Sequence, residues 1–250
     1  MLNIVIPMAG RGSRFRNAGY SEPKPLIKVN GTEMIRIVIG NLKPKCEHRF
    51  IFLCLQEHIE QYHVEQKLKE WSPECIVIPV KEVTEGAACT VLLAESLIDS
   101  NAPLMIANSD QWVDVDINNY LKKLGDSDGL IMTMKASDPK WSYVRFDSSG
   151  RICEVVEKNV VSDEATVGIY NFRHGNDFVK YAHWMIRNNL RVNNEFYVAP
   201  VYNQMIKEGG AITVCNIGTD ISGMYGLGIP DDLNYFLSLD ICKKALEEAV

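Results

Sequence analysis

Residues 4–15 read Ile4-Val5-Ile6-Pro7-Met8-Ala9-Gly10-Arg11-Gly12-Ser13-Arg14-Phe15, an apolar run that breaks into a loop of glycines and arginines. Leu2–Pro7 has the length and composition of a buried strand. Gly10 and Gly12 lack a Cβ, so backbone N–H groups there can turn toward phosphate oxygens at close range, and Ser13 and Arg14 add side-chain donors. The dinucleotide-binding fingerprint requires a third glycine where this chain has Phe15, and a P-loop requires a G-K-[ST] that is absent. A lone G-x-G turn is also how a strand and a helix join with no ligand at all, so the loop needs support from elsewhere.

Outward from this strand, apolar runs alternate with amphipathic stretches. Arg49–Leu55, Cys75–Pro79, Leu104–Asn108 and Gly129–Met134 read as further buried strands. Between them Thr32–Leu42, Ile59–Trp71, Gly86–Leu97 and Ile117–Leu124 carry helical spacing. Such alternation predicts an α/β fold, a mainly parallel, Rossmann-like sheet with helices on both faces. Sites in such sheets lie beyond the carboxyl ends of the strands, which gathers the loops after Pro7, Leu55, Pro79 and Asn108 on one edge. The pattern then changes. Tyr143–Asp147, Arg151–Val156 and Thr166–Asn171 read as strands of a smaller β region, with a turn at Asp147–Gly150. Helices follow at Asn176–Asn188 and Val198–Lys207, then a strand at Ala211–Ile217 and a final helix at Asp231–Glu248. With no internal repeat or long linker, the expectation is one domain over 1–250, with a nucleotide-binding half at 1–135 and an acceptor-binding half at 136–250.

The chain of 250 residues is 46% hydrophobic and 23% charged, enough for a sizeable core. Its 26 basic and 32 acidic residues give a net charge of −6, so no global cationic field draws it to nucleic acid or anionic lipid. An anionic ligand would need local positive groups, and Arg11, Arg14, Arg16, Lys24 and Lys28 supply them. Seven cysteines without a C-x-x-C pair read as buried reduced thiols suited to a reducing, cytoplasmic setting. No signal peptide or membrane span is expected. His58 and His63 are expected to face solvent, and the five histidines show no ligand cluster.

The support for the loop comes from Glu22-Pro23-Lys24-Pro25-Leu26, where flanking prolines stiffen the backbone around one lysine. G-x-G-x-R followed by P-K-P-L resembles the signature of the sugar-phosphate nucleotidyltransferases, also called nucleoside-diphosphate-sugar pyrophosphorylases, whose sheet is of the GT-A-like type. The resemblance implies that Ala9, Gly10, Gly12, Ser13 and Arg14 receive a nucleoside triphosphate, with CTP favoured, and that Lys24 lies near its α-phosphate. It also implies a cytidylyltransferase-type reaction that releases pyrophosphate. Arg14 would stabilise charge on the leaving pyrophosphate, and Lys24 would bridge the α-phosphate and the acceptor.

Three further segments carry the likeness. Leu104–Asn108 ends in Ser109-Asp110-Gln111, and Asp110 matches the family's ligand for Mg²⁺ or Mn²⁺. The family's second aspartate falls where this chain has Gly226; Asp220, Asp231 and Asp232 are the nearby carboxylates, and the last two also suit a helix start. Asp114 and Asp116 suit helix capping. Glu82–Ala88 resembles the base-reading segment, which nominates Gly86, and Gln56 follows a strand on the same edge. Glu157-Lys158, shortly before Gly168, resembles the acceptor motif, with the carboxylate on an acceptor hydroxyl and the lysine on its phosphate. Glu195 and Tyr197 are further acceptor candidates. Trp141-Ser142-Tyr143 replaces the glycine usual in the acceptor loop, which directs the acceptor away from an ordinary hexose phosphate: glutamine phosphate or a sugar phosphate is the expected class. Oligomers are compatible with the sequence. A GT-A-like glycosyltransferase would favour D-x-D, whereas Asp110 is followed by Gln111-Trp112; a nucleotide-sensing subunit would tend to lose Arg14 or Lys24, and both are present.

Overall fold

A computed structural model describes residues 1–249. The strands are β1 (Leu2–Met8), β2 (Lys28–Val29), β3 (Thr32–Glu33), β4 (His48–Leu55), β5 (Ile76–Val80), β6 (Leu104–Ala107), β7 (Gln111–Val113), β8 (Gly129–Lys135), β9 (Ser142–Phe146), β10 (Ile152–Glu157), β11 (Glu164–Phe172), β12 (Ile212–Asp220) and β13 (Gly223–Gly226). The helices are α1 (Ser13–Asn17), α2 (Met34–Leu42), α3 (Gln56–Tyr62), α4 (Val64–Trp71), α5 (Ala87–Leu92), α6 (Glu95–Ile98), α7 (Ile117–Leu121), α8 (Gly175–Arg187), α9 (Tyr202–Lys207), α10 (Pro230–Leu237) and α11 (Ile241–Glu248).

One 11-stranded sheet runs in the order β5-β4-β1-β6-β11-β8-β12-β13-β7, with β9 pairing β11 and β10. The first four strands are parallel, as the alternating sequence predicts. Register pairs Met8 with Cys54 and Cys54 with Pro79, so β1, β4 and β5 end on one edge. β11 then runs antiparallel to both β6 and β8, making the sheet mixed at its centre. The chain alternates sides along β1: Leu2, Ile4, Ile6 and Met8 join a core with α2, α4 and α7, while Val5 joins a core with α5, α6, α8 and α9. Both faces are therefore covered, which is why these strands read as continuous apolar runs.

Several elements depart from expectation. The helix expected over Ile59–Trp71 is two helices, because His63 adopts φ 53° and interrupts the hydrogen-bond ladder. His58 is buried at 5% exposure, edge-on to Tyr62, and does not face solvent. The helix expected from Thr32 begins at Met34, since Thr32–Glu33 pairs with Lys28–Val29 as a hairpin. Gly86–Leu97 divides into α5 and α6. The final helix breaks at Ser238, whose hydroxyl bonds the Tyr235 carbonyl at 2.6 Å, and resumes at Ile241. Of the two aspartates expected as caps, Asp116 caps α7 through the Asn118 N–H at 2.8 Å, but Asp114 instead forms an ion pair with Lys244. The thiols are free, yet only Cys54, Cys75 and Cys242 are buried, while Cys46 and Cys153 are exposed. Among the described residues, no helix is long and apolar enough to cross a membrane.

Candidate active site

The loop after β1 is held from both sides. Gly12 takes φ 59° and its Cα side lies against Lys24, so the loop and the P-K-P-L turn form one wall. That turn is a single 3₁₀ turn at Lys24–Leu26, with Pro25 and Leu26 buried, which fixes where the lysine stem leaves the backbone. The Lys24 ammonium donates to Asp110 Oδ2 at 2.8 Å, joining residues 86 positions apart. Both side chains are about one quarter exposed or less, at 22% and 24%. Asp110 sits just past β6 and is backed by the Gly226-Leu227-Gly228 turn: the Leu227 N–H donates to the Asp110 carbonyl at 2.8 Å. A Cβ on Gly228 would lie 2.5 Å from Asp110 Oδ2, so a side chain there would press on the carboxylate that Lys24 holds.

Three connected cavities follow this edge. A loop cavity of about 200 Å³ is lined by Ala9, Gly10, Thr84, Gly86, Thr90 and Glu195. A central cleft of about 490 Å³ holds Gly12, Ser13, Arg14, Lys24 and Asp110. An inner cavity of about 300 Å³ holds Glu157, Lys158, Gly168 and Tyr197. Pro7 and Ala87 line both the loop and inner cavities, and Asn108, Lys140, Trp141 and Lys158 line both the central and inner ones. Gly168 (φ 79°) sits at an irregularity in β11 with the Asn108 amide against it, where a Cβ would come within 2.0 Å of Nδ2.

The structure brings together most of the residues nominated from the sequence, but divides them. Ala9 and Gly10 face one cavity and Gly12, Ser13 and Arg14 another. Glu195 lines the loop cavity beside Gly86, and its carboxylate is close enough to Glu157, Lys158 and Tyr197 to act on all three. Gln56 is exposed and turns to Glu60 at 2.7 Å; it lines none of these cavities, because an i,i+4 helical partner captures its amide. Asn108 and Lys140, both at the junction, carry no motif that would single them out in the sequence.

The charged groups are poised unevenly. Ser142 donates a short hydrogen bond to Glu157, and burial holds the Glu157 carboxyl above its usual range against that bond and the nearby Lys158. Lys158 has φ 53°, strained for a non-glycine residue, and its ammonium bonds the Tyr197 hydroxyl at 2.5 Å. That bond raises Lys158 above the usual lysine range. Asp232 lines the central cleft with its carboxylate 3.3 Å from where a Cβ on Gly226 would be. Burial raises it, aided by Asp220 and Asp231 and opposed by Lys140 and Arg14.

Residues 4–198 match the sequence profile of the nucleotidyl transferases. That span carries the glycine loop, Lys24, Asp110 and the Glu157-Lys158 pair together. The chain belongs to the nucleotidyl transferase family. The chain is similar to the mannose-1-phosphate guanylyltransferase catalytic subunit beta of Danio rerio, 25% identical over 178 residues that cover 68% of this chain and 49% of the relative. It also resembles the bifunctional protein GlmU of Methanococcus aeolicus, 23% identical over 176 residues, covering 69% of this chain and 40% of that one. The chain thus spans about half the length or less of these curated relatives. Among solved structures, the nucleoside-diphosphate-sugar pyrophosphorylase from Vibrio cholerae superposes with TM-score 0.82 at 24% identity, covering 94% of this chain and all of that one. The inositol-1-phosphate CTP transferase from T. maritima superposes at 0.75 with 16% identity, covering 99% and 95%. At these identities the superpositions establish the shared α/β fold.

Proposed function

We propose that this chain is a nucleotidyltransferase that moves a nucleoside monophosphate from a nucleoside triphosphate to a small phosphorylated acceptor. The observation that carries the reading is the Lys24–Asp110 pair at 2.8 Å, set between the glycine loop and the cavity of Glu157 and Lys158. The loop cavity takes the base and the central cleft takes the phosphates. An oxygen of the acceptor phosphate attacks the α-phosphorus, a new P–O–P linkage forms, the α–β bond breaks, and its electron pair leaves with pyrophosphate. A phosphate monoester is already ionised near neutral pH, with a second pKa of about 6, so the attack needs no strong general base. Positioning and charge neutralisation supply the catalysis. Arg14 meets the pyrophosphate, Lys24 spans the α-phosphate and acceptor, and Lys158 holds the acceptor phosphate while Glu157 accepts from its other end.

A divalent cation fits this arrangement. Asp110 offers hard carboxylate oxygens at a strand end, and Asp232 faces the same cleft with no hydrogen-bond or ion-pair partner among the described residues. Mg²⁺ takes few protein oxygens beside phosphates and water, so Asp110 with Asp232 would hold Mg²⁺ or Mn²⁺. Bound there, it would neutralise phosphate charge in the cleft.

CTP is the favoured donor. Thr84, Gly86 and Glu195 line the loop cavity and are the groups that would meet the base. Trp141 and Ser142 shape an inner cavity suited to a small acceptor such as glutamine phosphate or a sugar phosphate. We read residues 1–250 as one domain, and with no net basic charge we propose small-molecule partners, a cytoplasmic setting and no nucleic-acid role. A matrix of four nucleoside triphosphates against glutamine phosphate, other phosphoamino compounds and sugar phosphates, followed by pyrophosphate release, tests the specificity. CTP with a non-hexose acceptor should turn over fastest; a preference for GTP with mannose 1-phosphate would overturn it.

A further inference from the structure

Phe196 is the pivot between the loop cavity and the inner cavity. It is fully buried, while its two neighbours line different cavities: Glu195 the loop cavity and Tyr197 the inner one. Its backbone is tied to the turn at Gly86, through the Phe196 N–H to the Glu85 carbonyl at 2.9 Å and the Ala88 N–H to the Phe196 carbonyl at 3.0 Å. The place of Phe196 thus sets how Glu195 and Tyr197 enter their cavities. Tyr197 in turn accepts from the Lys158 ammonium, so a shift of this segment reaches that lysine too.

One side chain grips this arrangement from outside. Arg191 lines none of the three cavities. Its guanidinium carbon lies 4.2 Å from the Phe196 ring centre, and its Nη2 donates to Glu85 Oε2 at 3.0 Å, joining residues 106 positions apart. Its Nε donates to Asn189 Oδ1 at 2.6 Å, and its Nη1 to the Asn194 carbonyl at 3.4 Å. Only a planar fork offers a face to a ring and edges to several oxygens at once. Between Arg191 and Phe196 the chain makes a tight hairpin, with Val192 and Glu195 exchanging backbone bonds at 3.0 Å and 2.9 Å. Its central residues, Asn193 and Asn194, take φ 48° and 64°, which asparagine tolerates. Glu195 therefore leaves a rigid turn whose base is held by Arg191. The Arg191–Glu85 pair is 30% and 63% exposed, so it adds little to stability. What the contacts supply is placement.

We propose that Arg191 is a positioning residue: stacked on Phe196 and paired with Glu85, it holds Glu195 in the loop cavity and Tyr197, with Lys158, in the inner one. This deepens the transferase reading and rests on it for what the two cavities bind. Arg191 touches neither substrate and acts through the segment it grips. Its loss lets that segment move away from the Gly86 turn, which disturbs both cavities together. A residue that served one cavity alone would affect one substrate alone.

The test compares the native chain with Arg191→Ala, Arg191→Lys, Glu85→Ala and the double variant Arg191→Ala/Glu85→Ala. Amide hydrogen exchange reads the grip itself: in Arg191→Ala the Ala88 and Phe196 amides should exchange about tenfold faster, while the strands of the sheet exchange as in the native chain. In turnover, Arg191→Ala should lower kcat/KM about tenfold or more for the triphosphate and for the acceptor alike, with little change in melting temperature. Arg191→Lys should recover little, since an ammonium lacks the fork. Millimolar guanidinium should restore much of the rate of Arg191→Ala and none of that of Lys24→Ala, a recovery that a general loss of packing would not show. The double variant should fall within about twofold of Arg191→Ala, because both changes remove one shared contact. Native kcat/KM or native exchange in Arg191→Ala would overturn the proposal. So would a loss confined to one substrate, a loss that guanidinium leaves untouched, or losses that multiply in the double variant. Faster exchange at Ala88 and Phe196 in a chain that forms no nucleotide conjugate would leave the grip of Arg191 standing and defeat the transferase reading instead.

Discussion

Lys24→Ala is expected to lower turnover by about 10²–10³-fold while the protein still melts cooperatively near its native temperature. The lysine sits between Pro23 and Pro25, its stem leaves a buried 3₁₀ turn, and its ammonium reaches Asp110 at 2.8 Å. A cation so fixed costs little reorganisation when charge builds on the phosphates. Its loss should therefore fall on turnover more than on triphosphate KM. Stability changes little because the pair borders an open cleft: with Lys24 gone, Asp110 keeps access to water at 24% exposure. Lys24→Arg should rescue poorly, since a wide planar fork cannot replace a compact ammonium on the same stiff turn. Rates and melting curves of the two variants measure this directly. Near-native turnover by Lys24→Ala would remove the lysine from the reaction.

Gly86→Ala is expected to cost about 3 kcal/mol or more of stability, the largest single-residue effect on the fold that the site offers. Gly86 adopts φ 139° and ψ 171°, a conformation that side chains avoid. An added Cβ would also meet Phe196 backbone atoms, its oxygen at 2.4 Å and nitrogen at 2.5 Å, and backbone cannot step aside as a flexible side chain can. Two hydrogen bonds lock the same contact: Phe196 N–H to the Glu85 carbonyl at 2.9 Å, and Ala88 N–H to the Phe196 carbonyl at 3.0 Å. These ties join the loop cavity to the chain that carries Glu195 and Tyr197, so the substitution should weaken nucleotide binding along with stability. Gly10→Ala is the control, because nothing lies within 4 Å of the Cβ it would gain. Thermal and denaturant melts compare the two; a Gly86→Ala melting temperature equal to that of Gly10→Ala would contradict the argument.

The strands of the first half were legible because burial on both faces writes an apolar run into the sequence, and Leu2–Met8 and His48–Leu55 are such runs. The P-K-P-L turn was legible because proline fixes its backbone locally. What stayed hidden depends on contacts distant in sequence. β7 and β13 are three and four residues long, too short for periodicity to register, and they form by pairing Gln111 with Gly226. The break at His63 turns on one left-handed residue of a type that commonly continues a helix. Gln56 looked well placed after β4, but its neighbour Glu60 captures it. Lys140, a single lysine in a polar turn, gains meaning only when β9 and β10 carry it to the junction with Lys158. Asp232 reads as a helix-start residue, and only the closeness of Gly226 shows that its carboxylate lies in the cleft.

The central claim is that the two halves of this cleft join a nucleotide to a phosphorylated acceptor. The direct measurement supplies α-³²P-labelled CTP with Mg²⁺ and each acceptor in turn, and follows both label and pyrophosphate. The account predicts that label enters a new acceptor conjugate in step with pyrophosphate release, one for one, and that both depend on the acceptor. Pyrophosphate released with the label left in CMP, or a conjugate formed equally well by Lys24→Ala, would contradict it.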